Sequence, residues 1–174
     1  VYMPLKHISS QLADMINLRH LMGLRSPVHS LSRLINPLNA QLVLQGIFHP
    51  PYSGLHQEAG QLLNYQYVAV IKGEGGEIER NPDAGSTVKW STQNDIGQEE
   101  WPAFFSKRHV KPQELSLDHM KNIWGNKIED EYAEGAIQCT CAFALKHLKP
   151  ELSQLEALEE AKQLWLKRDI NYFG

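Results

Sequence analysis

Cysteine is scarce in this sequence: there are only two, Cys139 and Cys141, one residue apart. A secreted domain built on disulfides needs more cysteines at wider spacings, so the composition favours a reducing compartment, and we predict a cytoplasmic location. No apolar run reaches the roughly 18 residues that span a membrane, and we expect no membrane association. Repeats and low-complexity tracts are absent as well. A length of 174 residues then fits one globular domain over residues 1–174.

Several motifs that mark catalytic or metal sites are also missing. The sequence has no Gly-x-Ser-x-Gly elbow for a nucleophilic serine, no His-x-x-x-His or Cys-x-x-Cys pair for a metal, and no Gly-Lys-Ser/Thr for a phosphate loop. The two cysteines fall in an apolar stretch over residues 136–145 that is typical of a buried helix. We therefore interpret them as structural thiols.

Basic charge is not in excess. The chain carries 17 lysine and arginine residues against 20 aspartate and glutamate residues, a net charge of −3, and its isoelectric point is about 6.2. Dedicated nucleic-acid-binding domains usually lie above about 9. Residues 1–40 nevertheless carry four basic residues and one acidic residue, whereas the remainder has a charge of −6. This distribution could attract an anion to the N-terminal part, or it could be chance unevenness.

Two short apolar runs are typical of buried strands. Residues 42–48 are rich in aliphatic side chains and stop at a proline pair, and residues 67–71 form a second run. A helical pattern over residues 54–64 lies between them, which predicts a strand–helix–strand unit with parallel strands. Residues 88–90 could add a short strand, and residues 91–115 read as irregular. The fold class that follows is α/β, with a partial, mostly parallel sheet flanked by helices.

Helical patterns occupy both ends of the chain. Ser9 or Ser10 can begin a helix with an apolar face, and Gly23 is suited to end it. The C-terminal third is predicted to be helical: a long helix covers residues 129–148, and Ser153–Glu156 has the capping-box pattern at the start of a last helix.

The loop after the second predicted strand is the strongest candidate for a ligand site. Residues 72–83 contain three glycines and several carboxylates, among them Glu77 and Glu79. Ligands of open α/β sheets bind beyond the carboxyl ends of the strands, and glycines let the backbone approach a ligand closely. Clustered carboxylates there could bind Mg²⁺, which prefers oxygen ligands. The alternative is a solvated acidic turn.

A second candidate lies at the end of the first predicted helix. Arg19 and Arg25 flank that end, and arginine binds carboxylate or phosphate groups through two parallel hydrogen bonds. The pair could therefore hold an anionic substrate, or it could form structural salt bridges.

These two segments carry a family resemblance. Residues 18–39, LRHLMGLRSPVHSLSRLINPLN, and residues 70–82, VIKGEGGEIERNP, resemble segments of the anthranilate phosphoribosyltransferase family, a glycosyltransferase group that also contains pyrimidine-nucleoside phosphorylases. Residues 1–7 and 44–50 are similar to neighbouring segments of that family. Both motifs look closer to a side branch of anthranilate phosphoribosyltransferase-like proteins, some of which bind nucleic acids and lack the biosynthetic activity.

The resemblance implies roles for individual residues. Arg19 matches the arginine that contacts anthranilate. The family's metal-binding Asp-Glu pair falls on Ile78 and Glu79, so the first acid is replaced, and Glu77 could substitute for it only after a one-residue shift of the loop. The family's glycine-rich GTGGD phosphate loop and its KHG segment correspond to positions before Val1. The chain is thus expected to be the C-terminal part of the family's α/β domain, without the N-terminal helical domain that forms the dimer.

The function implied by the resemblance is transfer of phosphoribose from phosphoribosyl pyrophosphate to an aromatic amine or base by the full-length protein, with Mg²⁺ as cofactor. We expect this chain alone to be inactive, because it lacks the phosphate loop. One alternative is a non-enzymatic nucleic-acid-binding protein on the same scaffold, which the isoleucine at position 78 favours. Another is a structural remnant that binds no ligand. Another expected partner is the protein's own N-terminal part or a second copy of the chain, because missing neighbour strands would expose a sheet edge.

Overall fold

The computed structural model describes residues 2–24, 26–110 and 116–173. Its helices, in chain order, are α1 (Leu5–Ile8), α2 (Ser10–Asn17), α3 (Arg19–Met22), α4 (Val28–Leu31), α5 (Tyr52–Leu62), α6 (Leu117–Trp124), α7 (Glu131–Leu148) and α8 (Gln154–Leu166), with a 3₁₀ turn at Ser32–Leu34. Its strands are β1 (Leu42–Ile47), β2 (Tyr67–Lys72), β3 (Ser86–Thr92) and β4 (Ile96–Trp101). The chain is therefore α/β, as the sequence predicts.

The four strands form one open sheet in the order β1-β2-β3-β4. β1 and β2 are parallel, with Val43 opposite Val68, and α5 connects them. This confirms the predicted strand–helix–strand unit. β3 pairs with β2, and β4 with β3, in antiparallel orientation. The sheet is therefore mixed, with one parallel pair among its three pairs.

The expectation of a mostly parallel sheet holds only for β1 and β2, because the chain makes no further crossover. A parallel return needs a connection of a dozen or more residues, usually with a helix. Residues 73–85 contain no helix, so β3 starts at the same edge at which β2 ends. Residues 93–95 then form a short turn into β4. β4 lies in the stretch that sequence reasoning treats as irregular.

The sheet is covered on both faces, and β2 shows how. Ala69 and Ile71 lie on one face, where they pack with Phe143 of α7 and with α8. Val68 and Val70 lie on the other face, where α5 packs. Full burial of a Val or Ile side chain contributes about 1.5–3 kcal/mol. The continuously apolar strands are thus buried on both sides, as parallel strands usually are.

The C-terminal helices agree closely with the prediction: α7 begins at Glu131 rather than at residue 129, and α8 begins after Ser153, as the sequence indicates. The Asp130 side chain caps α7 by accepting a hydrogen bond from the Ala133 N–H at 2.9 Å. Ser153 and Glu156 form the predicted capping box of α8. Cys139 is fully buried in α7, and burial raises the pKa of its thiol. This placement agrees with a structural thiol.

The N-terminal helices are short and bury little. The single helix predicted here is divided at Leu18 into α2 and α3. Its ends agree with the prediction: the Ser9 side chain caps α2 by accepting a hydrogen bond from the Leu12 N–H at 3.3 Å, and α3 ends at Gly23 with a φ of 66°. Val28 is the only buried residue within α1–α4. Several apolar side chains of this region are exposed: Met15, Leu18, Leu21, Met22, Leu24 and Leu31. None of the helices in the described ranges is both long enough and apolar enough to cross a membrane.

Candidate functional site

A cleft of about 620 Å³ opens at the carboxyl edge of β1 and β2. The loop after β2 forms one wall, and the start of β3 with the first turn of α5 forms another. Arg108 and His109, in the loop after β4, form the third wall. The charged lining residues are Lys72, Glu74, Glu77, Glu79, Asp83, Lys89, Arg108 and His109. The cleft therefore lies where open α/β sheets bind ligands.

Glu77 folds the loop on which it lies. Its carboxylate accepts hydrogen bonds from the backbone N–H groups of Glu74, at 2.7 Å, and Gly75, at 2.6 Å. Hydrogen bonds to an ionised acceptor are roughly twice as strong as neutral ones. Both oxygens of Glu77 are thus engaged by the backbone of the loop.

Arg33 attaches the same loop to the sheet. Its guanidinium donates to the carbonyl oxygens of Gly46 in β1 and Gly76 in the loop. The loop backbone approaches β1 so closely that a Cβ atom on Gly46 would lie 2.2 Å from the carbonyl oxygen of Glu77. Gly76 has a φ of 85°, in the left-handed region that favours glycine. The acidic loop is therefore built into the edge of the sheet.

Ile78 and Glu79 face different surroundings. Ile78 packs against the core beneath α7 and α8. Glu79 lines the cleft, and its Oε1 accepts a hydrogen bond from the Tyr132 hydroxyl of α7 at 3.2 Å. The position that the resemblance assigns to the first metal-binding acid is thus an apolar packing position in this chain.

The fold brings Glu77 and Glu79 to one cleft, but the pair fits a magnesium site poorly. Mg²⁺ demands a near-ideal octahedral shell of oxygen ligands. Both oxygens of Glu77 and one oxygen of Glu79 already accept hydrogen bonds. Within the described ranges, no group of three or more His, Cys, Asp or Glu side chains could hold a metal ion. Metal binding at these glutamates stays a prediction, and we assign no chemical step to it.

The structure places one of the two predicted arginines, Arg19. Arg19 lies in α3 and is not among the described residues that line the cleft. Arg25 lies outside the described residues. The acceptor-binding role of either arginine stays a prediction.

His109 joins two walls of the cleft and was missed by sequence reasoning. Its Nδ1 lies 2.7 Å from Asp83 Oδ1, and its backbone N–H donates to Asp83 Oδ2 at 2.7 Å. Its Nε2 lies 3.1 Å from Glu131 Oε2 at the start of α7. Hydrogen bonding to Asp83, and then to Glu131, raises the pKa of His109 above its usual value. The geometry therefore favours an imidazolium that donates from both nitrogens.

Three further cations face the cleft. Lys72, Lys89 and Arg108 line it, and none of them forms an ion pair with a carboxylate of the described residues. The Lys89 ammonium lies beside the first turn of α5, because a Cβ on Gly54 would be 3.4 Å from its Nζ. The start of a helix itself favours anions, since its first N–H groups have no partner within the helix.

No local motif could have revealed these cations. Lys72 ends β2, Lys89 lies in β3 and Arg108 follows β4. Lys89 and Arg108 line the same cleft as Lys72 because β3 and β4 return as an antiparallel hairpin, which the sequence pattern does not predict. Arg33 lies in the 3₁₀ turn before β1, and its contacts with Gly46 and Gly76 also join residues far apart in the chain.

Comparison with known proteins gives partial and distant similarity. An uncharacterised protein of Aquifex aeolicus is 31% identical over 123 residues, which are 71% of this chain and 36% of that protein. The anthranilate phosphoribosyltransferase of Polynucleobacter necessarius is 32% identical over 63 residues, 36% of this chain and 18% of that protein. The anthranilate phosphoribosyltransferase of Cupriavidus metallidurans is 27% identical over 113 residues, 65% of this chain and 30% of that protein. No family model matches the chain.

The chain spans 18–36% of the length of these three relatives. Its similarity to proteins named anthranilate phosphoribosyltransferase supports, at a distance, the resemblance that the motifs at residues 18–39 and 70–82 carry. It suggests a phosphoribosyltransferase-like scaffold.

Proposed function

We propose that the full-length protein transfers phosphoribose from phosphoribosyl pyrophosphate to an aromatic amine or base. The observation that carries this proposal is the cleft at the sheet edge, in a chain similar to anthranilate phosphoribosyltransferases. Four carboxylates line the cleft, together with three cations that form no ion pair with the described residues. The three cations are suited to contact the phosphate groups of a ligand.

The chemistry asked of the protein is modest. The nitrogen of the acceptor forms a bond to C1 of the ribose while the bond from C1 to the pyrophosphate oxygen breaks, and the acceptor nitrogen loses a proton to solvent water. Negative charge grows on the departing pyrophosphate. Lys72, Lys89 and Arg108 would stabilise that charge, because preorganised donors act most strongly where charge develops in the transition state. The remaining contribution is the alignment of the two reactants.

The proposal is tested with the full-length protein, anthranilate and phosphoribosyl pyrophosphate, by following the loss of anthranilate fluorescence. We expect turnover by the full-length protein and none by residues 1–174 alone. Arg108→Gln should lower turnover, whereas Lys121→Gln, at an exposed position in α6, should not. Absence of pyrophosphate release with a panel of aromatic amines and bases would refute the transferase function.

A second candidate function is nucleic-acid binding without catalysis on the same scaffold. It is favoured by Ile78, an apolar packing residue where the resemblance places a metal-binding acid. In that case a labelled single-stranded oligonucleotide should bind the full-length protein, and the affinity should fall steeply as salt rises. Turnover in the transferase assay together with no oligonucleotide binding would exclude this candidate.

A further inference from the structure

His109 has a carboxylate beside each of its ring nitrogens. Nδ1 lies 2.7 Å from Asp83 Oδ1 in the loop after β2, and Nε2 lies 3.1 Å from Glu131 Oε2 at the start of α7. A neutral imidazole carries one N–H donor, whereas an imidazolium carries two. Only the protonated ring can therefore donate a hydrogen bond to both carboxylates at once.

Loss of the ring proton would affect these two contacts unequally. Asp83 is bound twice, because its Oδ2 also accepts the backbone N–H of His109 at 2.7 Å, a bond that does not depend on the ring. Glu131 contacts His109 through the ring nitrogen, and the same Glu131 oxygen lies 2.5 Å from Lys107 Nζ. A neutral ring that keeps its N–H towards Asp83 presents the lone pair of Nε2 to Glu131, and a lone pair repels a carboxylate. The contact with Glu131 is thus the one that needs the proton.

The charged groups around the ring come from both neighbouring elements and from its own loop. Lys107 is engaged by Glu131, and Arg108 lines the cleft. Hydrogen bonding to Asp83, and then to Glu131, raises the pKa of His109 above its ordinary value of 6.5. A raised pKa means that the contacts of the imidazolium are fully formed below pH 6.5 and are lost as the pH rises through the raised value.

The start of α7 is coupled to the cleft by the residue after Glu131. The ring of Tyr132 packs against that of His109, with centroids 5.9 Å apart. The Tyr132 hydroxyl donates to Oε1 of Glu79, which lines the cleft, at 3.2 Å. A change at Glu131 therefore reaches a carboxylate of the cleft through one neighbouring side chain.

We propose that His109 is a proton-dependent clasp between the loop after β2 and α7. The protonated ring holds Asp83 and Glu131 together, whereas the neutral ring keeps Asp83 and releases the start of α7, which loosens the contact of Tyr132 with Glu79. This inference concerns the assembly of the cleft, and it does not depend on the ligand or the reaction of the proposed function.

The experiment is hydrogen–deuterium exchange of the full-length protein, read by mass spectrometry on peptides from α7 and α8. Exchange is measured between about pH 6 and about pH 9 and corrected for the intrinsic pH dependence of amide exchange. We expect the first turns of α7 to exchange several-fold faster above the titration of His109 than below it, while α8 keeps its protection. His109→Asn and Glu131→Ala should each exchange fast in these turns at every pH, because neither can form the proton-dependent contact.

Two control variants separate the clasp from its neighbours. His119 Nε2 lies 3.0 Å from Oδ2 of Asp130, the residue that caps α7, so His119 is a second histidine that could make α7 sensitive to pH. Lys107 is the other partner of Glu131. His119→Gln and Lys107→Gln should both keep the pH dependence of the wild type.

Circular dichroism establishes that each variant is folded, and Glu131 is exposed enough for its substitution to be tolerated. Loss of the pH dependence in His119→Gln or Lys107→Gln, with retention in His109→Asn, would assign it to another pair and overturn the proposal. Exchange at the start of α7 that is independent of pH in the wild type would also overturn it.

Discussion

Asp83 holds His109 at two points, the backbone N–H at 2.7 Å and the ring Nδ1 at 2.7 Å. Asp83 belongs to the loop after β2 and His109 to the loop after β4. Their pairing therefore fixes the distance between two walls of the cleft. Glu131 contacts the other ring nitrogen, so the imidazole also links these walls to α7.

The first prediction concerns the protonation of His109. Asp83→Asn removes the largest cause of its raised pKa, so the pKa of His109 should fall towards the ordinary value of 6.5. The measurement is an NMR pH titration of the His109 ring in both proteins. Asp118→Asn, at an exposed position in α6, is the control and should leave the titration unchanged. An unaltered His109 titration in Asp83→Asn would mean that this pairing does not form in solution.

The second prediction concerns the contact between β1 and the acidic loop. Gly46→Ala should lower the free energy of unfolding by about 3 kcal/mol, because the new methyl group would overlap the Glu77 carbonyl and force the loop to move. Urea denaturation measures this loss. Gly54→Ala is the control: its Cβ would meet only the flexible end of Lys89 at 3.4 Å, and stability should not fall. Equal stability of the two variants would contradict the close approach.

His147 lies in a buried polar pocket and is the subject of the third prediction. Its Nδ1 lies 3.1 Å from the Tyr67 hydroxyl, and its side chain is only 2% exposed. Glu99 Oε1 lies 3.3 Å from Nε2, but it accepts the Trp101 indole N–H at 2.7 Å and makes no hydrogen bond to His147. Burial, and then the charge of Lys146, lowers the pKa of His147 to about 4.

This low pKa makes the fold sensitive to acid. Above the unfolded-state pKa of 6.5, His147 is neutral in both the folded and the unfolded state, so its titration does not change the free energy of unfolding. As the pH falls from 6.5 to about 4, His147 becomes protonated in the unfolded chain but stays neutral in the folded chain, so the free energy of unfolding decreases. The decrease in the free energy of unfolding over this pH window approaches about 3 kcal/mol. Urea denaturation of wild type and His147→Gln across the window should show a shallower decline in the variant, while exposed His7→Gln keeps the wild-type slope. Parallel curves for all three proteins would contradict the prediction.

The fourth prediction concerns the outer edge of β1. Among the described strands, β1 is paired only with β2, and the helices before it expose several apolar side chains. Unpaired edges and exposed apolar surface recruit other chains. We expect residues 1–174 to self-associate, or to remain bound to the preceding part of the protein. Size-exclusion chromatography with light scattering and a gel of the sample test this. A stable 19.8 kDa monomer without a second chain would contradict it.

The elements that local pattern determines were predictable from the sequence. The apolar runs of β1 and β2, the Ser9 cap and the capping box at Ser153 each depend on residues close together in the chain. β4 was missed because its sequence, IGQEEW, is too polar to resemble a buried strand. The antiparallel orientation of β3 was not predicted. It follows from the lack of a crossover helix in residues 73–85, which no local sequence pattern marks.

The candidate site was predictable only where its residues are close together in the chain. Glu77 and Glu79 belong to one conspicuous loop, so sequence reasoning placed them at the sheet edge. Their hydrogen-bond partners could not be deduced, because Tyr132 and the neighbouring backbone amides acquire their positions only through tertiary packing. Pairing of His109 with Asp83 likewise depends on the β3–β4 hairpin.

Glu131 and Tyr132, the first two residues of α7, contact His109 and Glu79. The walls of the cleft precede α7 in the chain, yet they are secured by it. During synthesis, His109 and Glu79 cannot form these contacts until residues 131 and 132 have left the ribosome. Ligand binding should therefore appear only after α7 has been synthesised, and a nascent chain stalled before α7 should lack both the ability to bind and the cover of one face of the sheet.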